Sequence, residues 1–180
     1  MSSETTPTTA DLRDAIRNVP DFPKPGIQFK DITPLLADPR LFRECIDRIV
    51  EGIPVGSVDL VAGIDARGFL FASAAALRLG AGIVPVRKKG KLPFATIEQS
   101  YSLEYGTNTL AMHVDAIRPG QRILLVDDVL ATGGTAKATV NLIERLKGDL
   151  VGIVFVIELG FLGGRAGLAG KPVRSLICYP

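Results

Sequence analysis

Two adjacent carboxylates, Asp127 and Asp128, stand between an apolar run and a run of small, hydroxyl-bearing residues. Residues 123–135 read Ile-Leu-Leu-Val-Asp-Asp-Val-Leu-Ala-Thr-Gly-Gly-Thr. A carboxylate pair suits hydroxyl groups, or a Mg2+ that keeps most of its waters, and it would repel a phosphate. The residues that follow, Ala131, Thr132, Gly133, Gly134 and Thr135, suit the phosphate. Glycine lets backbone approach an anion closely. Threonine hydroxyls add donors, and the start of a helix presents N–H groups and the positive end of its dipole. The ligand that needs both halves is a sugar phosphate, with its phosphate in the loop and its ribose hydroxyls at the acids. No Gly-Lys-Ser/Thr occurs in the chain, so this is not a Walker A loop. Gly133-Gly134 also lacks the spacing of a dinucleotide fingerprint.

A second stretch has the same grammar. The apolar run Val58–Ile64 ends in Asp65, Ala66, Arg67 and Gly68, and a small-residue helix is expected to follow to Leu79. Arg67 can contact a phosphate through two parallel N–H groups. As a cation at a helix start it opposes the dipole, and an anionic ligand would remove that conflict. The dense basic run Arg87-Lys88-Lys89-Gly90-Lys91 reads as a solvated turn, a nucleic-acid patch or a phosphate-facing segment. Beside two phosphate loops the last reading is preferred. Pro20–Pro34 is too rigid and too apolar for a linker. Phe22, Ile27 and Phe29 must pack on something, either as a strap over the core or as a pocket wall meeting a planar base, and composition does not separate these. His113, the only histidine, lacks a motif and is read as structural or surface.

The elements that must position these residues follow from periodicity. Leu12, Ile16 and Val19 predict a helix over Ala10–Val19, with Thr8 and Asp11 as its start signal. Asp38-Pro39 predicts another to about Gly52, with Leu41, Cys45, Ile46, Ile49 and Ile53 inward. Continuous apolar runs predict buried strands at Val58–Ile64, Ala81–Arg87, Ile123–Val126, Val151–Glu158 and Val173–Cys178. A helix should run from the glycine loop to about Lys147. Leu92–Thr107 reads as a long polar-aromatic loop ahead of a strand at Leu110–Val114, together a hairpin lid. Gly160–Gly170 reads as a connection with a short helix at most. The expected fold is α/β, a mostly parallel sheet with helices on both faces, in one domain over 1–180, with both anion loops at strand C-terminal ends.

With 47% apolar and 22% charged residues the chain is globular, and a net charge of +2 does not favour a nucleic-acid partner. Cys45 and Cys178 lack metal-ligand spacing and read as thiols of a reducing cytosol. Met1–Thr9 carries Glu4 and no apolar core, so no signal peptide is expected. The apolar-rich stretch Phe69–Leu77 is too short for a bilayer, which implies a cytoplasmic protein without a membrane partner.

The stretch Val126–Thr135 resembles the phosphoribosyl-diphosphate (PRPP) signature of the type I phosphoribosyltransferases. Pro20–Asp31 resembles the Pro-Asp-Phe-Pro-x-Pro-Gly-x-x-Phe-x-Asp segment of the adenine phosphoribosyltransferases. The resemblance implies that Phe29 stacks on adenine while the backbone of Gln28 to Lys30 reads the base edge. The family often has Arg where this chain has Lys30, a change of little weight for main-chain recognition. Asp65–Gly68 resembles the family's pyrophosphate loop, with a non-proline cis peptide between Asp65 and Ala66. The family places the Arg87–Lys91 run near the pyrophosphate and the dimer interface, which implies a homodimer. Tyr101-Ser102-Leu103-Glu104-Tyr105-Gly106 matches the adenine enzymes' flexible catalytic loop.

Taken together, the resemblance implies purine salvage: adenine and PRPP give AMP and diphosphate, with Mg2+ held through PRPP and water and by no protein ligand directly. Residues 1–34 would form the tail, helix and base-binding hood, and 92–107 the lid. Arg67 and Lys91 would steady the diphosphate, Glu104 would assist proton removal, and Tyr105 would close over the sugar. Two rivals stand beside this reading. The 6-oxopurine enzymes carry a lysine after the strand that follows the PRPP motif, and Val154–Phe161 has none. A non-catalytic PRPP-sensing regulator would need a nucleic-acid surface or an extra domain, and neither is expected.

Overall fold

The computed structural model describes residues 6–102 and 107–180, and the chain divides into two compact units, Met1–Arg48 and Ile49–Pro180. In the first, helix α1 spans Thr9–Asp14 behind a complete capping box: Thr8 accepts from the Asp11 backbone, and the Asp11 side chain accepts from Thr8. The helix predicted to reach Val19 stops at Asp14, because Arg17–Pro20 is strand β1, paired antiparallel with β2 (Gln28–Asp31). Val19 sits opposite Phe29, so cross-strand pairing overrides the helical spacing. Leu12 and Ile16 are buried as the pattern required.

Most of the proline-punctuated stretch therefore belongs to a β-hairpin over residues 17–31. Its turn is closed by the Gly26 N–H donating to Asp21 at 2.7 Å. A short helix α2 (Thr33–Ala37) follows, hidden in sequence because Pro34 is tolerated in a first helical turn. Asp38 caps helix α3 (Pro39–Val50), accepting from the Arg40 and Leu41 backbone. Cys45 is fully buried on α3, and burial pushes its thiol up to about 12, so it is core.

The second unit is a seven-stranded sheet. Its strands are β3 (Leu60–Ile64), β4 (Gly82–Lys88), β5 (Thr96–Ser102), β6 (Thr107–His113), β7 (Arg122–Leu130), β8 (Asp149–Leu159) and β9 (Val173–Tyr179). They lie in the order β5-β6-β4-β3-β7-β8-β9. Strands β4, β3, β7, β8 and β9 are mutually parallel, and the β5–β6 hairpin joins antiparallel at one edge. Helix α5 (Gly134–Arg145) packs on one face: its Ala136, Val140 and Ile143 share a buried cluster with Ala62, Val84, Leu125 and Phe155. Helix α4 (Gly68–Leu79) covers the other face over β3 and β7, pressed so close that a Cβ on Gly63 would lie 2.6 Å from Ala72 Cβ. This is the mostly parallel sheet with helices on both faces that the alternation of elements required.

Three expectations are corrected here. The middle of the long lid loop is strand β5, paired with β6 along all seven residues from Thr96↔His113 to Ser102↔Thr107. Strand β7 does not end at Val126 but continues through both aspartates to Leu130, because β8 runs alongside and pairs with it as far as Glu158. Gly160–Gly170 holds two 3-10 turns, Gly160–Leu162 and Gly164–Leu168.

Candidate active site

Strand β3 hands the chain to β4 on one side, whereas β7, β8 and β9 build out on the other, so the sheet changes direction between β3 and β7. Open α/β sheets bind ligands in the crevice at the C-terminal ends of such strands. The pairing explains how the crevice opens. Strand β3 keeps register with β7 only to Gly63↔Val126, while β7 goes on beside β8. Asp127 and Asp128 therefore lie where their neighbour has turned away into residues 65–67.

The resulting pocket, about 190 Å3, is lined by Asp65, Ala66 and Arg67 from one loop and by Asp127, Asp128, Ala131–Gly133 and Thr135 from the other. Both anion loops of the sequence thus meet in one place. The Asp65–Ala66 peptide is cis. Helices α4 and α5 both start here, and neither has a side-chain cap, so their first N–H groups lack the partner that Thr8 supplies in α1. Gly133 takes φ +82°, the left-handed turn that brings β7 round into α5. Gly68 is required for space, since a Cβ there would lie 2.4 Å from Asp127 Oδ1.

The electrostatics are unusual for a surface crevice. Asp127 and Asp128 are 7% and 5% exposed. Burial pushes the Asp127 carboxyl well above its usual range, and the Asp128 charge pushes it further. Asp128 is also raised by burial, with the Arg67 guanidinium pulling it back. Asp127 Oδ1 accepts from the Asp128 N–H at 3.0 Å. Arg67 Nε stands 2.8 Å from Asp128 Oδ2 as an ion pair, yet Oδ2 accepts no hydrogen bond of proper geometry. It is a buried acceptor with unused capacity in the pocket wall. The cation at the start of α4 thus finds its counter-charge in Asp128.

The other residues singled out in the sequence fall as follows. Arg87 joins the loop, its Nε donating to Asp65 Oδ2 at 3.3 Å and its Nη1 to the Lys91 carbonyl at 2.8 Å. Lys91 is exposed and does not line the pocket. Gly134 opens α5 beside the pocket wall. Gln28, Phe29 and Lys30 lie on β2, in the unit Met1–Arg48, away in sequence from the loops. Phe29 is half-buried and meets Phe22 edge to face, with ring centroids 5.1 Å apart. Strand β2 has β1 alone as its partner among the described residues, so half its backbone groups face away from that partner. Lys30 Nζ donates to Asn18 Oδ1. Glu104 and Tyr105 lie outside the described residues. His113 is structural: its Nε2 accepts the Phe94 N–H at 3.4 Å, and its ring stacks edge-on against Phe94.

A larger cavity, about 620 Å3, lies at the opposite ends of the strands, lined by Val58, Leu124, Gly152 and Pro172 among others. Its lining is mainly apolar, and its charged side chains Glu51 and Arg174 pair with each other at 3.9 Å, whereas the smaller pocket joins two buried carboxylates, an arginine and two uncapped helix starts. One contributor was overlooked in sequence. Gly164, placed in a mere connection, touches the glycine loop directly. The only signal was a Gly-Gly pair that matched no cofactor spacing.

Fold and site define a doubly wound α/β protein with a crevice at its switch point whose lining suits an anion. The model of the phosphoribosyl transferase domain matches residues 33–167, and the chain belongs to that family. It is 58% identical over 162 residues to the adenine phosphoribosyltransferase of Acidothermus cellulolyticus, covering 90% of this chain and 92% of that one. The crystal structure of adenine phosphoribosyltransferase from Rhodothermus marinus superimposes with a TM-score of 0.91 at 53% identity, over 95% of this chain and 98% of that one. The Saccharomyces cerevisiae enzyme, solved in complex with adenine and an imino-altritol bisphosphate, gives 0.88 at 40% identity, over 93% and 97%.

Proposed function

We infer that the chain performs purine salvage, transferring the 5-phosphoribosyl group from PRPP to adenine to give AMP and diphosphate. The observation that carries this reading is the buried acidic pair set against a glycine-threonine loop in one crevice, the two halves of a sugar-phosphate site. The likeness to enzymes named for adenine supports the choice of base. The ribose C1–O bond to diphosphate breaks and the diphosphate leaves with the electron pair. Adenine N9 bonds to C1 and gives up its proton.

A positively charged C1 develops along the way, so catalysis is positioning and charge placement, and no covalent nucleophile is required. Asp127 and Asp128 accept from the ribose hydroxyls. Asp128 Oδ2, buried without a well-formed hydrogen bond, has an acceptor site to offer. Ala131, Thr132, Gly133, Gly134 and Thr135 hold the 5-phosphate. Asp65, Ala66, Arg67 and Gly68 face the diphosphate, with Arg87 fixing Asp65 and Lys91 adding charge. Phe29 stacks on adenine, and Gln28 and Lys30 offer main-chain groups to its edge. Glu104 takes up the proton and Tyr105 closes over the sugar, roles that rest on the match of 101–106 to the adenine enzymes. Residues 1–34 then serve as the base-binding segment and 92–107 as the lid of a single catalytic domain.

Mg2+ would be bound together with PRPP. Two neighbouring carboxylates fit a cation held by the diphosphate through water, and among the described residues no group of three acidic, His or Cys side chains offers a direct site. When bound, the ion would neutralise charge on the diphosphate, with Asp127 and Asp128 accepting from its waters.

A homodimer is supported by the outer side of α4 and the adjoining β4, which expose Leu70, Leu77 and Ile83. Neither Cys45 nor Cys178 is in a disulfide, in keeping with a reducing cytoplasm. Among the described residues no helix is long and apolar enough to cross a membrane.

The test is a panel of free bases with PRPP, with Mg2+ or with a chelator, scored for diphosphate release. Adenine should be turned over and hypoxanthine, guanine and xanthine should not, and chelation should stop the reaction. Diphosphate release with an oxopurine in preference to adenine, or with no base at all, overturns the assignment. In the same assay Glu104→Leu should lower kcat, and full kcat would remove Glu104 from the mechanism.

A further inference from the structure

The segment between β8 and β9 has no part in the reaction as described, yet it meets the phosphate loop backbone to backbone. A Cβ on Gly164 would lie 2.1 Å from the Ala131 carbonyl oxygen and 2.8 Å from the Gly133 nitrogen. From the other side, a Cβ on Gly133 would lie 2.4 Å from the Gly164 carbonyl oxygen. Both fall far inside van der Waals contact, and the atoms they would strike are main chain, which cannot swing aside as a side chain can. Gly164 has no left-handed φ, so what it needs is space and not conformational freedom.

The segment is tied down next to this contact. Arg165 donates to both oxygens of Glu158, at 2.9 and 2.5 Å, and to the Val173 carbonyl at 2.9 Å. Ser175 Oγ donates to Glu158 Oε2 at 2.6 Å. Glu158 is buried at the end of β8, and Arg165 and Ser175 hold its carboxyl below its usual range, so the clamp stays charged. Leu168, at the end of the same turn, sits in the core cluster with Ala136 of α5.

We propose that Gly164 is a positioning residue: it sets the height of the Ala131–Gly133 backbone, and the Glu158–Arg165–Ser175 clamp anchors it to β8 and β9. The proposal rests on the reading that this loop holds the 5-phosphate of PRPP. Displacing the loop by a methyl group should weaken PRPP and leave adenine untouched. A misplacement of this kind costs about tenfold or more.

The experiment compares Gly164→Ala, Gly167→Ala and Thr135→Ala in the complete protein. It reads KM for each substrate and the rise in melting temperature on adding PRPP with Mg2+. Gly167 is the control, because its added methyl would meet only Lys137 Cδ at 4.0 Å. Gly164→Ala should raise the PRPP KM at least about tenfold and abolish most of the PRPP-induced shift, with the adenine KM within about twofold. Gly167→Ala should match the wild type.

If Thr135→Ala weakens PRPP but Gly164→Ala does not, the brace is wrong and the loop reading stands. If neither does, both fall. Equal effects of Gly164→Ala on the two KM values, or equal effects of Gly164→Ala and Gly167→Ala, also overturn the brace. Should Gly164→Ala fail to fold, Arg165→Met decides: it must raise the PRPP KM selectively, with Arg165→Lys partly restoring it, and an unchanged PRPP KM overturns the proposal.

Discussion

At the scale of single residues, the acidic pair is held in a state that costs stability. Asp127 and Asp128 are raised above their usual range chiefly by burial, so the folded protein keeps protons that the unfolded chain has released. Stability from this source is therefore highest below the ordinary carboxylate range and falls as pH rises through the raised values. Asparagine keeps the shape and the Oδ1 acceptor but removes the charge. The Asp127→Asn, Asp128→Asn protein should be folded, more stable than the wild type at pH 7, with a melting temperature higher by roughly 2–4 °C, and less sensitive to pH above the ordinary carboxylate range. Its turnover should fall at least about 100-fold, because the ribose loses its charged acceptors. Thermal melts across pH and a diphosphate-release assay check this. A double variant that is less stable at pH 7, or one that retains activity, would contradict the role given to these groups. Asp59 behaves oppositely: hydrogen bonds from Arg122 pull its carboxyl down to about 2, but the pair is partly exposed and solvent screens its contribution.

At the scale of elements, the β1–β2 hairpin carries the strongest claim about specificity. Phe29 is not fully buried, and its listing towards Phe22 leaves part of a half-buried ring to meet a base. Stacking of a base on an aromatic ring is worth about 1–3 kcal/mol by truncation. Phe29→Ala should accordingly raise the adenine KM by roughly 5- to 150-fold, with the PRPP KM within about twofold. Steady-state kinetics in both substrates settle the matter: equal rises in the two KM values, with a lowered melting temperature, would make Phe29 a packing residue only. The same scale explains why α4 and α5 lack caps. Uncapped starts leave N–H groups for an anion, as the proposed phosphate sites require, whereas α1 is capped twice over.

At the scale of the molecule, α4 is apolar nearly all round, and its outer side is left uncovered. Leu77 is 84% exposed, and Leu70 and Ile83 are exposed nearby in the fold. Ile83 pairs with Val61, and its neighbour Pro85 with Gly63, the residue on which α4 rests, so β4 turns Ile83 to the same side of the sheet. Scattered apolar residues are ordinary on surfaces, but a helix face and an adjoining strand together suit the protein contact proposed above. A second copy is the expected occupant. Sedimentation velocity at micromolar concentration should give a dimer, and Leu77→Asp should shift it towards monomer. A wild-type monomer across the range used for assay would rule this out.

The two loops that line the crevice were legible from the residues alone. Val126–Thr135 and Asp65–Gly68 stood out because glycine, threonine and acidic residues act through neighbours one to five positions away, and sequence records that range directly. The buried strands and α4 were legible for a similar reason, since a strand covered on both faces leaves an unbroken apolar run. What depended on partners distant in the chain was not. Arg17–Pro20 became a strand because Gln28–Asp31 lay alongside it, and β7 ran on through its two aspartates because β8 was there to pair with them. Thr96–Ser102 needed β6 in the same way. Only the tertiary structure decided that Asp128 faces Arg67 and that Gly164 stands against Gly133. These contacts join residues some 30 to 60 positions apart, and they exist because the sheet sets the ends of β3, β7 and β8 side by side.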